Sequence, residues 1–212
     1  MTRTQLLLMA AALTVSIGTR ASAQSTKMTL RPESKVALAG TSNVHDWACS
    51  SSAFNATIEL DSTYASNPLT SVAKPITKVV VNIPVRSLKC GHGKMDDNMY
   101  KALRANESPD IKYVLGTYQV NKELTTADSF AALTVGELTV AGTTTKVEIP
   151  ITATRKTGGS MTGEGTIKLR MSDFGVKPPV ALFGTIRSGN EIEVKFQVLL
   201  DKAVVVALTQ QP

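Results

Sequence analysis

An antiparallel all-β fold interrupted by one short helix is what this sequence predicts. Apolar and polar residues alternate at period two from about residue 35 onward, the spacing that turns one face of a strand toward a core. Val, Ile, Leu and Thr are plentiful, whereas the aromatics are one Trp, four Tyr and five Phe in 212 residues. That balance favours strands over helices. Gly-, Asn- and Pro-containing turn signals divide the runs at intervals that suit short antiparallel connections.

Val79, Val81, Ile83 and Val85 fall on one strand face, with Val80, Asn82 and Pro84 on the other. Val147, Ile149, Ile151 and Ala153 repeat the pattern, as do Ile167, Leu169 and Met171. A last run holds Ile192, Val194, Phe196, Val198 and Leu200. Pro84 and Pro150 lack the N–H of a central strand, so they belong at ends, edges or bulges. Turn signals stand at Asn67-Pro68, Lys74-Pro75 and Ala141-Gly142. Thr157-Gly158-Gly159 and Ser188-Gly189-Asn190 are expected to be hairpin connections, since Gly and Asn tolerate positive φ. Roughly eight to ten strands result, most about nine residues long.

The helix is predicted over Lys94 to Ala105, where Met95, Met99 and Leu103 recur every four residues and so share one face. Asp97 and Lys101 stand four apart on its polar side. Asp96 and Asp97 suit the positive end of the helix dipole. Pro109 stops the helix and biases Ser108 toward extended backbone.

Arg3, the apolar run Leu6 to Gly18 and the small residues Ala21-Ser22-Ala23 form the pattern of a secretory signal peptide. The run is short for a membrane span. The chain thus divides into a signal peptide at 1–23 and a single domain at 24–212, placed in the periplasm or secreted. The formal net charge of +6 falls to +4 on removal of Arg3 and Arg20, leaving 21 basic against 17 acidic residues. With no basic run or interleaved aromatics, that balance does not support nucleic-acid binding.

A series of antiparallel strands must close on itself or fold into a sandwich to protect its edges. A barrel of about eight strands can be filled by side chains or hold one small ligand. The alternation alone leaves barrel and sandwich open.

Several segments bear on that choice. Gly136-Glu137-Leu138-Thr139-Val140-Ala141-Gly142-Thr143-Thr144-Thr145-Lys146-Val147 resembles the G-x-L-T-[IV]-x-G-x-T-[KR]-x-[VI] pattern of the YceI-like family, with one extra Thr. Gly40-Thr41-Ser42 leading into Val44-His45-Asp46-Trp47 resembles that family's opening G-x-S-x-x-H stretch. Ser87-Leu88 followed by Met95 to Leu103 resembles its entry into the helix. Pro109-Asp110-Ile111-Lys112-Tyr113 is similar to its P-x-I-x-F, with Tyr in place of Phe. Met171 to Gly175 and Gly189 to Val198 resemble its closing strands. The likeness spans nearly all of the mature chain in order. It implies a lipocalin-like barrel of about eight strands, a helix near one mouth, and an apolar tunnel for an isoprenoid or quinone-type lipid. The family's lipid contacts are mostly generic apolar residues.

On these grounds the expected apolar lining is Trp47, Val79, Val81, Ile83, Met95, Met99, Leu103, Leu138, Val140, Val147, Ile149 and Phe174. For aliphatic positions of this kind, core and pocket are the same residues without and with a ligand. The Met stripe also fits a lid, because flexible thioethers adapt to a lipid tail. A passing contact with a membrane and a homodimer are both compatible with this reading.

Cys49 and Cys90 are the two thiols, and export to an oxidising space favours a disulfide between them. A competing arrangement sets His45, Cys49, Cys90 and His92 around Zn²⁺, although H-x3-C and C-x-H are not a known zinc framework. A hydrolase or isomerase using His45, His92 or Asp173 is a rival class. Adjacent strand residues such as His45 and Asp46 point to opposite faces, which argues against that acid–base pair. A packed structural or interaction barrel is the third. The reading carried forward is a non-catalytic lipid-binding barrel without cofactor or metal.

Overall fold

The computed structural model describes residues 25–202. The expected signal peptide lies outside the described residues. Among the described residues eleven strands form one antiparallel sheet: β1 (Ser25–Leu30), β2 (Lys35–Ser42), β3 (Trp47–Ser51), β4 (Asn55–Asp61), β5 (Ile76–Pro84), β6 (Asp110–Asn121), β7 (Ser129–Val140), β8 (Thr143–Arg155), β9 (Met161–Arg170), β10 (Val180–Ala181) and β11 (Ile186–Lys202). A single α-helix among the described residues, α1, spans Gly93–Ala102.

The 17-residue β11 closes the barrel. One edge pairs with β9, from Glu191↔Arg170 to Leu200↔Met161. The other edge pairs first with β2, from Ser188↔Ser42 to Gln197↔Lys35, and then with β1, from Leu30↔Leu200 to Met28↔Lys202. β1 and β2 therefore lie end to end, and β3 and β4 follow in the same way against them. With each end-to-end pair counted as one stave, the sheet is a closed eight-stranded antiparallel barrel.

The break between β1 and β2 is held by Ser34, which is fully buried. Its hydroxyl donates to Leu199 O at 3.3 Å and accepts from Leu199 N–H at 2.9 Å, which gives a buried polar group the partners it requires. The β7–β8 hairpin turns at Ala141-Gly142, with φ of 50° and 82°. These values suit a two-residue I′ turn, whose twist matches that of the strands.

Three expectations change. Thr157-Gly158-Gly159 does connect β8 to β9, but Ser188-Gly189-Asn190 is a bulge inside β11, where the register against β2 shifts between Ser188 and Ile192. There Asn190 spends its side chain on Ser172 rather than on a turn, accepting from Ser172 N–H at 3.0 Å. The helix covers 93–102, because Leu103 and the positive φ of Arg104 end it early. Val85 leaves the strand for a 3₁₀ turn (Val85–Ser87) and is fully buried there.

One end of the barrel is sealed. Met28, Tyr64, Leu69 and Phe130 pack there at 0–2% exposure, in a cluster with Leu60, Ile76, Met161 and Leu200. Tyr64 and Leu69 stand on two 3₁₀ turns, Ser62–Ala65 and Leu69–Ser71, that cross this base. Arg155, at the end of β8, holds them in place: its guanidinium donates to Tyr64 O, to Asn67 O at 2.7 Å and to Ala127 O at 2.9 Å, and it pairs with Asp128 at 2.6 Å.

Two predictions follow from the base. Arg155→Ala leaves three carbonyls without their charged donor and is expected to destabilise the fold by about 2–4 kcal/mol in urea titration. Burial also pushes the phenols of Tyr64, Tyr113 and Tyr118 upward. The unfolded chain then loses these protons first, so stability should hold below about pH 10 and fall above it. Melting temperatures from neutral to strongly alkaline pH check this, and Tyr118→Phe should flatten the decline.

Candidate functional site

Above the sealed base the barrel encloses a cavity of about 500 Å³, within the range of roughly 300–1,000 Å³ typical of small-molecule sites. Strand parity builds its wall. β5 turns Val79, Val81 and Ile83 inward, β7 contributes Leu138 and Val140, and β8 contributes Ile149, Ile151 and Ala153. β9 and β11 add Ile167, Leu169, Val194 and Phe196. Met95 and Met99 of α1 and the adjoining Leu103 close the side toward the mouth. Trp47 and Phe174 also line it.

Of the residues named from the sequence, Val147 alone is absent from this wall. It is buried in a cluster with Ala141, Ile149, Met171, Phe174 and Val176, several of which do line the cavity. β8 pairs with β9 only over Ile151–Arg155, so Val147 and Ile149 both lie beyond that pairing. Before Pro150, a 3₁₀ turn (Met171–Phe174) comes against β8, and Thr145 Oγ1 donates to Asp173 O at 3.1 Å. Val147 packs against Met171 and Phe174 of that turn and does not line the lumen.

The wall also holds Val36, Leu38, Phe54 and Tyr113, which sequence reasoning did not single out as lining. Parity along Ile111, Tyr113 and Leu115 was the available signal. Few as they are, the aromatics concentrate here: Trp47, Phe54, Tyr113, Phe130, Phe174 and Phe196 all face the cavity. Three of them, Tyr113, Trp47 and Phe196, lie against glycines of adjoining strands, with a Cβ on Gly165 falling 2.6 Å from the Phe196 ring. A Cβ on Gly136 would stand 2.6 Å from the Tyr113 ring, and one on Gly40 would stand 2.3 Å from the Trp47 ring. Only glycine leaves room for rings so close to the sheet.

Tyr113 brings a hydroxyl into a largely apolar stretch of the wall. It donates to Thr134 Oγ1 at 3.3 Å, and Thr134 donates onward to Ile149 O at 2.8 Å. Both groups are thereby occupied by the protein, and burial holds the Tyr113 phenol neutral well into the alkaline range.

α1 is fastened from the cysteine side. Ser50 and Lys89 exchange backbone hydrogen bonds of 2.8 and 2.9 Å, extending the sheet past the point where β5 turns away. The neighbouring Cys49 and Cys90 form a disulfide with their Cα atoms 3.9 Å apart. Asp96, not Asp97, makes the contact at the helix start, accepting from Cys90 N–H at 2.7 Å. Lys89 Nζ donates to Tyr100 Oη at 2.7 Å, and that bond, with Asp96 nearby, raises the ammonium above its ordinary range. Tyr100 Oη in turn donates to Leu88 O at 2.8 Å.

His45 and His92 line the mouth of the cavity. His45 Nδ1 lies 2.8 Å from Asp46 O, a backbone contact rather than a carboxylate pair. Asp173 pairs with Arg170 at 3.4 Å and is not part of the cavity wall. The disulfide ties up both sulfurs, so neither Cys49 nor Cys90 is a thiolate for zinc or a nucleophile. No group of three or more His, Cys, Asp or Glu is placed to hold a metal ion among the described residues.

The family model of the YceI-like domain matches residues 23–200. Among solved structures, BcnA of Burkholderia cenocepacia is similar at 17% identity and a TM-score of 0.62, over 81% of this chain and 99% of that one. A polyisoprenoid-binding domain from Saccharophagus degradans, implicated in plant cell wall breakdown, is similar at 8% identity and a TM-score of 0.57, over 84% and 98%. The YceI protein of Campylobacter jejuni is similar at 14% identity and a TM-score of 0.53, over 94% of each chain. A comparison with curated proteins gave no match.

Replacing both cysteines by Ala should lower stability by about 2–4 kcal/mol in denaturant and increase hydrogen exchange in α1. Gly136→Val should displace the Tyr113 ring and destabilise by about 1–3 kcal/mol, visible as a lost near-UV Tyr signal.

Proposed function

This chain belongs to the YceI-like domain family, and from that premise we propose that it is an exported, non-catalytic carrier of an extended apolar lipid. The observation that carries this reading is the cavity: an apolar lumen of about 500 Å³ in a closed barrel with a sealed base. The ligand is of the isoprenoid or quinone type, in keeping with the relative described as a polyisoprenoid-binding domain. Its tail lies along Val79, Val81, Ile83, Leu138, Val140 and Ile149, with Trp47 and Phe174 beside it. Met95, Met99 and Leu103 adapt to it from α1, and the polar head rests at the mouth near His45 and His92.

Affinity comes from hydrophobic transfer, at about 0.8 kcal/mol for each buried CH₂. Selectivity comes from the length and bore of the lumen. Chemistry on the ligand has little support, since the hydroxyls of Tyr113 and Thr134 are committed to one another and to Ile149 O. Export accords with the disulfide, which persists in oxidising compartments. No helix among the described residues is long and apolar enough to cross a membrane.

Native mass spectrometry of the exported chain, followed by denaturing extraction, should recover one long-chain lipid per barrel. Val81→Trp and Ile151→Trp occupy the lumen. Displacing two methylenes of ligand should weaken binding about tenfold, with far-UV circular dichroism unchanged. Failure to recover any lipid, together with no uptake of added quinone or polyprenol, would sink the carrier reading. Turnover of a lipid ester that disappears in His45→Ala or His92→Ala would replace it with an enzyme.

A further inference from the structure

Five large hydrophobic side chains are well exposed among the described residues: Val44, Leu124, Leu133, Val180 and Phe183. Leu124 lies in the β6–β7 connection at the sealed end, and Leu133 faces outward from β7. The other three gather at the cavity mouth. Val44 is on the β2–β3 loop, and Val180 and Phe183 are on the segment that leads into β11. Ser42, His45, Val180 and Ile186, from these same two segments, line the cavity.

Hydrogen bonds join the two segments into one platform. Asn43 Nδ2 donates to Thr185 O at 2.8 Å, and Arg187 N–H donates to Asn43 Oδ1 at 2.7 Å. Ser188 N–H donates to Pro179 O at 3.0 Å, and Arg187 Nε donates to Gly184 O at 2.9 Å. Phe183 sits between these bonds with φ of 55° and its ring wholly in solvent. Neither backbone preference nor burial would put a bulky ring there. Burial against an apolar layer would gain the free energy that this exposed ring forgoes.

Charge at the mouth points to what that is. On the two platform segments, residues 42–46 and 176–188, the cations Lys177 and Arg187 stand against one acid, Asp46, while Lys94 on the facing helix is offset by Asp96 and Asp97. We propose that this platform docks the barrel mouth on an anionic lipid bilayer. Phe183, Val180 and Val44 enter the interfacial layer and the cations lie against headgroups. A second copy of the chain is the poorer occupant, since two-fold pairing would set like charges against one another. The inference rests on the carrier reading for its purpose: an apolar tail then passes from bilayer to lumen without crossing water. Docking itself needs no cargo.

Flotation of the full exported chain with vesicles tests it, using phosphatidylcholine alone or an equal mixture with phosphatidylglycerol. The wild type should float with the mixed vesicles, less so as salt rises. Val44→Ser/Phe183→Ser and Lys177→Glu should each lower partitioning about tenfold. None of these residues lines the cavity, so uptake of quinone from detergent solution should be unchanged, which also verifies folding. Wild type that does not float, or variants that float equally, would overturn the platform. So would a concentration-dependent dimer that Phe183→Ser abolishes without any vesicle binding. Vesicle binding without uptake of any lipid would overturn the carrier reading and leave the platform standing, while uptake without vesicle binding would do the reverse.

Discussion

Closure of the sheet depends on β11 satisfying two strands along one of its edges. Its residues 188–197 pair with β2 and residues 200–202 with β1, while the opposite edge is taken by β9. Without the β1 pairs, the sheet would end in exposed N–H and C=O groups near the base. Ser34 makes the double use workable, because its hydroxyl meets both backbone groups of Leu199 where the chain steps from β1 to β2. Base, wall and mouth all take their positions from this ring.

The two ends of the ring are built for opposite purposes. At the base, short 3₁₀ turns carry Tyr64 and Leu69 over the opening, and Arg155 satisfies the carbonyls that such turns leave free. At the mouth, the backbone pairs of Ser50 with Lys89 and the adjacent disulfide hold α1 against the rim. A long apolar ligand in such a vessel can enter from one side only, which suits retention more than passage. The glycines beneath Tyr113 and Trp47 make the wall smooth where bulky rings would otherwise project. In a chain of modest size, this leaves volume unfilled without leaving polar groups unpaired.

Function and fold meet at the boundary between lumen and solvent. Helix α1 presents its Met95 and Met99 face to the cavity, while Tyr100 anchors it from behind through Leu88 O and Lys89. A lid fixed on one side and lined with thioethers on the other can adjust its inner surface without unfolding. The exposed platform at Phe183 adjoins the same mouth. In the proposed carrier, lid and platform together would give an apolar molecule its route to the lumen.

Much of this was legible in the residues. Alternation at Val79, Val81, Ile83 and again from Ile192 to Leu200 determined which side chains face inward, because the strand repeat is a local property of the backbone. The four-residue recurrence of Met95, Met99 and Leu103 likewise determined the inner face of α1. Local pattern could not tell a hairpin from a bulge at Ser188-Gly189-Asn190, since both use the same permissive residues and differ only in what pairs on either side. It could not separate Val147 from Ile149, which share one strand face and one cluster and differ only in which of them reaches the lumen. Nor could it choose barrel over sandwich, or decide that the interior keeps about 500 Å³ open. Those outcomes depend on how register accumulates around the ring and on which side chains then fall short of meeting across it, and only the tertiary structure settles that.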